Sequence, residues 1–162
     1  AIARLLGNRR KDFLIIMAGG GKEEPEIKAT VASDVVLKKH ILLTGFQPRD
    51  VCIDLRHTSE VSLCLMAGFS LIEACAAARP VVSYNVEWHS ELVKDKETGF
   101  LIEEHDIEAA ADALDWLLDH PDESNIMGGN AKSLAFERHD LKTTSDIKVK
   151  CYTEILSQGD DH

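Results

Sequence analysis

The chain has 162 residues, a length that fits one domain around a single hydrophobic core. Its formal net charge is −10, and the acidic residues are spread along the sequence. This balance argues against a nucleic-acid partner, which needs a basic face, and no apolar run approaches the roughly 20 residues of a membrane-spanning helix.

Helix-like and strand-like segments alternate along the chain. The first residues have the spacing of an amphipathic helix, and five short apolar runs then predict strands over 13–18, 40–44, 61–65, 80–84 and 99–102. Helices are predicted over 23–39, 50–57, 70–78, 87–94, 106–120, from Pro121 with a break allowed at Gly128–Gly129, and over 141–156. Because the strands are apolar on both faces, they predict a parallel sheet covered on both sides, with ligands at its carboxyl edge.

The connection between the third and fourth predicted strands carries most of the functional signal. Gly68 allows a sharp turn, and the amides of Phe69, Ser70 and Leu71 then begin a helix. Unpaired N–H groups and the helix dipole make such an end an anion site suited to a diphosphate. Glu73 has two open interpretations: its carboxylate accepts hydrogen bonds from sugar hydroxyls, or it folds back to the Ser70 amide in a capping box.

Several short motifs occur in a fixed order around this connection. Gly68-Phe69-Ser70 is followed by Glu73-Ala74 and by Ala-Arg-Pro-Val-Val at 78–82, with glycine-containing strand ends at 17–21, 43–46 and 96–102. In this order the chain resembles the C-terminal domain of the family-4 retaining glycosyltransferases, which have the GT-B fold of two facing Rossmann-like domains. The resemblance implies an α/β fold: a Rossmann-like three-layer α/β/α domain with a parallel sheet of about five to six strands.

The resemblance also implies a binding site for a nucleoside-diphosphate sugar. The second Glu of the family's Glu-x7-Glu pattern binds the ribose hydroxyls, and Glu73 occupies that position. The other implied contacts are the amides of Phe69, Ser70 and Leu71 with the diphosphate, Gly45 and Phe46 with the base, and Gly19 and Gly20 on the nucleotide side.

The same resemblance sets expectations for the whole protein. Residues 1–156 would be the nucleotide-sugar-binding domain, truncated at its N-terminus, and 157–162 would be a disordered tail. The first strand, the Arg and Lys that neutralise the diphosphate, and the acceptor-binding domain would lie upstream. The complete enzyme would transfer a hexose with retention from a UDP- or GDP-sugar, without a metal or other cofactor. The isolated chain would be inactive, and only the missing domain could contact a membrane.

Two departures from the family pattern bear on function. Ala67 stands where the family has a first Glu that contacts the transferred sugar. Ala78 replaces the usual helix-ending glycine, and a non-glycine residue in a left-handed C-cap costs about 1 kcal/mol. Two other functions suit this fold: a non-catalytic nucleotide-binding subunit that needs a separate acceptor-binding partner, and a sugar-nucleotide epimerase.

His89 and the cysteines complete the set of candidate residues. His89 follows the fourth predicted strand at the carboxyl edge, and we hypothesise that it faces the donor phosphate or sugar, whereas the neighbouring Trp88 packs in the core. The remaining histidines have no ligand spacing, so no metal site is expected. The four cysteines also lack metal-type spacing, which favours reduced core thiols and a cytoplasmic protein. The basic triplet at 9–11 indicates a solvated loop.

Overall fold

A computed structural model describes residues 1–66 and 68–159 of the chain. Its helices are α1 Ile2–Arg9, α2 Glu24–Ser33, α3 Leu37–His40, α4 Arg49–Thr58, α5 Phe69–Ala76, α6 His89–Leu92, α7 Ile107–Asp119, α8 Pro121–His139 and α9 Leu141–Gly159. Its strands are β1 Ile15–Ala18, β2 Ile41–Gly45, β3 Ser62–Cys64, β4 Val81–Tyr84 and β5 Gly99–Ile102. None of these described helices is both long enough and apolar enough to cross a bilayer.

All strand pairings are parallel, which confirms the predicted fold class, but the strands fall into two groups. β1 pairs with β2, and β4 lies between β3 and β5. The sequence predicted one sheet instead. The division lies between β1 and β3. In the doubly wound order 3-2-1-4-5-6 the first strand lies between the second and the fourth, and the expectation of a first strand upstream of this sequence stays a prediction.

The hydrophobic core lies on both faces of β4. Val82 belongs to a cluster that includes Leu6 of α1 and Leu114 of α7. Val81 belongs to a second cluster that includes Leu71 of α5 and Ala131 of α8. Because successive side chains of a strand point to opposite faces, this alternation places helices on both sides of the sheet, as predicted.

Helix α8 runs without a break through the pair of glycines at which the sequence allowed an interruption. Gly128 is buried, and a Cβ there would overlap the carbonyl oxygen of Ala78, just beyond the end of α5. Gly129 faces open space. The first glycine therefore lets α8 approach α5 closely, and the helix continues because packing outweighs the low helix propensity of glycine.

Two predicted boundaries were wrong. The segment 23–39 forms two helices, because the Asp34 carboxylate accepts hydrogen bonds from the amides of Val36 (2.8 Å) and Leu37 (2.9 Å) and so starts a new turn. At the other end, α9 continues to Gly159, so residues 157–159 are helical rather than part of a disordered tail. The extra turn ends at a glycine, the poorest helix former after proline. Residues 160–162 lie outside the described part.

The basic residues at 9 and 10 do not form the solvated loop that the sequence had indicated. Arg9 is exposed but, like Arg10, joins α1 to α7 through ion pairs. Arg9 contacts Glu108 and Asp112, and Arg10 contacts Asp12, Asp115 and Asp119. The Arg10 side chain is largely shielded from solvent. The four partners in α7 are spaced three or four residues apart, a pattern that could have signalled the contact: Glu108, Asp112, Asp115 and Asp119.

The Arg10 guanidinium lowers the pKa of Asp12 to about 2 through hydrogen bonds. A carboxylate with a lowered folded-state pKa stabilises the fold above its unfolded pKa of about 4, and this contribution is lost as the pH falls from about 4 to 2. We expect Arg10→Gln to raise the Asp12 pKa towards its ordinary value in an NMR titration. Arg9→Gln is the control and should leave that pKa unchanged. An Asp12 pKa that stays near 2 in Arg10→Gln would contradict the assignment.

The prediction of core cysteines is correct for Cys64 and Cys75 and wrong for Cys151. Burial raises the pKa of Cys64 to about 11 and that of Cys75 to about 12. Cys52 is half-buried, and Cys151 is exposed on α9. The buried pair therefore remains protonated and unreactive at neutral pH.

Candidate functional site

The carboxyl ends of β1 and β2 open a cleft of about 380 Å³. It is lined by Gly19, Gly20 and Gly45, which the sequence had assigned to the nucleotide side and the base. The Gly19 amide donates to the Gly45 carbonyl at 2.8 Å and joins the two strand ends. Gly45 has a φ of 67°, in the left-handed region, and an added Cβ would meet no atom within 4 Å. Gly45 therefore adopts the left-handed turn without strain, and the space beside its Cα is open.

Phe46 follows this turn with its side chain 88% exposed. A large aromatic ring at the surface beside a cleft has no packing role in the fold. Its face is available to stack on a planar group. The contact between Phe46 and a base stays a prediction.

Helix α5 begins at Phe69, with Gly68 as its N-cap and without a capping side chain. The amides of Phe69 and Ser70 occupy the first two helix positions, where N–H groups lack intrahelical acceptors. The Leu71 amide instead donates to the Gly68 carbonyl at 3.3 Å, and the Leu71 side chain is buried. Among the described residues, no acceptor is found for the amides of Phe69 and Ser70, and their contact with a diphosphate stays a prediction. Ala67, the departure in this loop, lies outside the described residues.

Glu73 does not form the predicted capping box, since no side chain caps α5. Its carboxylate oxygen Oε2 instead lies 2.7 Å from Nη2 of Arg56, a residue of α4. The capping interpretation was wrong because the helix begins one residue earlier than the sequence indicated. Arg56 was missed because the two residues are far apart in sequence and no local spacing signals their contact.

His89 is separated from the other candidates. Its side chain is fully buried, and its Nδ1 lies 2.6 Å from Oγ of Ser83, which is also buried. Its Nε2 is buried without a hydrogen-bond partner among residues 1–66 and 68–159. Such a placement does not present the imidazole to a ligand at the surface. The sequence missed Ser83, although a serine among the apolar residues of strand β4 was a usable signal.

Ala78 has a φ of 59°, so the residue that replaces the usual glycine does adopt the left-handed conformation. The expected cost of about 1 kcal/mol therefore applies at the end of α5. Within the described residues, no group of three or more His, Cys, Asp or Glu side chains is placed to hold a metal ion.

Comparison with known proteins identifies the family of the chain. Residues 1–134 match the model of the glycosyl transferases group 1. Alpha-D-kanosaminyltransferase of Streptomyces kanamyceticus is 25% identical in an alignment of 154 residues, which covers 93% of this chain and 40% of that protein. Poly(ribitol-phosphate) alpha-N-acetylglucosaminyltransferase of Staphylococcus aureus is 26% identical over 160 residues, covering 88% of this chain and 32% of that protein.

Solved structures share the fold. A variant of S. aureus TarM in complex with fondaparinux, alpha-GlcNAc-glycerol and UDP has a TM-score of 0.82 at 22% identity, over 91% of this chain and 30% of that one. Anabaena HepE in complex with UDP-glucose has a TM-score of 0.81 at 17% identity, over 94% of this chain and 44% of that one. The chain thus spans less than half the length of these relatives, and over that span it belongs to the glycosyl transferases group 1 family.

Proposed function

We propose that residues 1–156 bind a nucleoside-diphosphate sugar as the donor domain of a retaining hexosyltransferase. The observation that carries the proposal is the open cleft at the ends of β1 and β2. There a left-handed glycine, Gly45, is followed by the exposed ring of Phe46. In Rossmann-like sheets, ligands bind outside the carboxyl ends of the strands, which is where this cleft and the N-terminus of α5 lie.

Each part of the donor has a group that suits it. The base stacks on Phe46 beside Gly45, and the diphosphate accepts hydrogen bonds from the amides of Phe69 and Ser70. The ribose hydroxyls donate to the carboxylate of Glu73. Gly19 and Gly20 line the cleft beside the nucleotide. His89 takes no part, because it is buried.

The relatives indicate which nucleotide to try first. TarM and HepE have been crystallised with UDP or UDP-glucose. At these sequence identities the likeness extends only to the fold, so UDP is the first probe and GDP and ADP are compared with it.

The proposed reaction breaks the bond between sugar C1 and the diphosphate oxygen. A bond forms between C1 and an acceptor hydroxyl oxygen, whose proton is lost, and the nucleoside diphosphate leaves. The amides of Phe69 and Ser70 offset part of the charge that develops on the leaving group. Bringing donor and acceptor together requires a second binding surface, so we expect the 162-residue chain to bind the donor and transfer nothing.

An NMR titration of the chain with UDP, GDP and ADP tests the proposal. Shifts are expected at Gly45, Phe46, Phe69 and Ser70. Phe46→Ala should weaken binding about tenfold, because stacking of a base on an aromatic ring contributes about 1–3 kcal/mol. Phe136→Ala, which removes another exposed ring, is the matched control and should leave the affinity unchanged.

Two results would overturn the proposal. One is the absence of shifts at both loops at millimolar nucleotide, and the other is an equal loss of affinity in the two phenylalanine variants. Sugar transfer by the purified chain would refute the separate expectation that the chain is inactive. That result would not contradict the proposed donor site.

A further inference from the structure

Arg56 and Glu73 form an ion pair that links α4 to α5. Nη2 of Arg56 lies 2.7 Å from Oε2 of Glu73, and the two side chains are 25% and 46% exposed. Nη1 of Arg56 also donates to the carbonyl of Cys52, one turn earlier in α4, at 3.4 Å. The Arg56 guanidinium is thus hydrogen-bonded to its own helix, and this bond restricts the position from which it pairs with the Glu73 carboxylate.

The same guanidinium lies close to the start of α5. Its positive charge acts on the thiol of Cys64, the last residue of β3, and opposes the effect of burial on the pKa of that thiol. Arg56 therefore lies near the end of β3 as well as beside Glu73 of α5.

A half-exposed glutamate samples several rotamers, and fixing one of them for a ligand costs conformational entropy. An ion pair that already restricts the Glu73 carboxylate reduces this cost when the ligand binds. A carboxylate has about four acceptor positions, so one pair with Arg56 leaves capacity for two hydroxyl donors.

On the basis of the donor site proposed above, we propose that Arg56 is a positioning residue that holds the Glu73 carboxylate towards the pentose hydroxyls of the bound nucleotide. Arg56 acts through Glu73 and does not contact the ligand. Its removal should therefore matter only for nucleotides that carry those hydroxyls.

The test compares UDP with 2′,3′-dideoxyuridine diphosphate, which lacks both hydroxyls, by calorimetry or NMR. In Arg56→Gln, the affinity for UDP should fall about tenfold, as for loss of a hydrogen bond to a charged group, while the affinity for the dideoxy nucleotide should not change. Arg56→Lys, which retains the charge, should recover part of the loss. In the Glu73→Gln background, Arg56→Gln should have no further effect on UDP binding.

Arg49→Gln is the matched control, because it removes the same charge from the other end of α4. It should leave both affinities unchanged. An equal loss for both nucleotides in Arg56→Gln would overturn the inference, because it would indicate a contact with the phosphates or a loss of structure. Unchanged UDP binding in Arg56→Gln would also overturn it.

A measurement without nucleotide separates this inference from the proposed function. Side-chain couplings from NMR report whether Glu73 keeps one rotamer. We expect one rotamer in the wild type and several in Arg56→Gln, and equal order in both proteins would overturn the positioning role. Failure of the wild type to bind any nucleotide would instead overturn the donor site, and with it the role of Glu73 and Arg56.

Discussion

Gly128→Ala is expected to destabilise the protein by about 3 kcal/mol, the upper end of the cost of overpacking a core. The added Cβ would overlap the backbone carbonyl of Ala78, and the backbone there cannot easily withdraw. Ala78 is in the left-handed conformation, and Pro80 fixes the chain two residues later. The new methyl group must therefore push α8 away from α5.

The neighbouring glycine provides the control. Gly129→Ala is expected to stabilise the protein by up to about 1 kcal/mol, because alanine is the better helix former and nothing lies within 4 Å of the new Cβ. Urea denaturation of both variants gives the two free energies of unfolding. Equal effects at the two positions would mean that α8 does not pack on α5 through Gly128.

Ser83→Ala is the second change with a large expected effect, about 2 kcal/mol of lost stability. Ser83 bonds the carbonyl of Cys64 at 2.9 Å and Nδ1 of His89 at 2.6 Å inside the core. Removing the hydroxyl leaves a buried imidazole whose Nε2 already has no partner among the described residues. The His89 imidazole is then buried away from water without hydrogen bonds that replace its hydration, and this destabilises the folded state.

A double-mutant cycle with His89→Leu measures this coupling. Replacing both polar partners should cost less than the sum of the two single changes, because no unsatisfied imidazole nitrogen remains. The same variants separate two roles of His89. A His89→Leu protein with unchanged stability and weakened UDP binding would show that the sequence-based hypothesis of a donor contact was right.

The sequence predicted those features that depend on local patterns. The five strands were identified because apolar runs end in turn residues such as Gly45, and Asp106 was correctly placed as the N-cap of α7, where its carboxylate accepts from the Ala109 amide at 2.9 Å. The break at Asp34 was missed because a carboxylate that bonds its neighbours' amides looks like any other helix-surface acid.

The features that sequence reasoning missed depend on long-range contacts. The partner of Glu73 comes from α4, and the burial of His89 depends on how β4 and α6 pack together. Gly128 and Gly129 are identical in a helical pattern, and only the position of Ala78 makes one of them essential. Local sequence patterns indicate the secondary-structure propensity of a residue, but they do not indicate which residues of a distant segment will contact it.

The separation of the strands into two groups affects the local stability of the cleft. β1 carries exposed apolar side chains at Ile16 and Met17, whereas β4 is buried throughout. Helix α1 bridges the two halves, since it packs on both α3 and α7. Regions with few buried contacts open locally at lower free energy than the core. In the 162-residue chain, the half that carries Gly19 and Gly45 is thus expected to open at lower free energy than the half around β4, and a ligand bound in the cleft would raise that free energy by mass action.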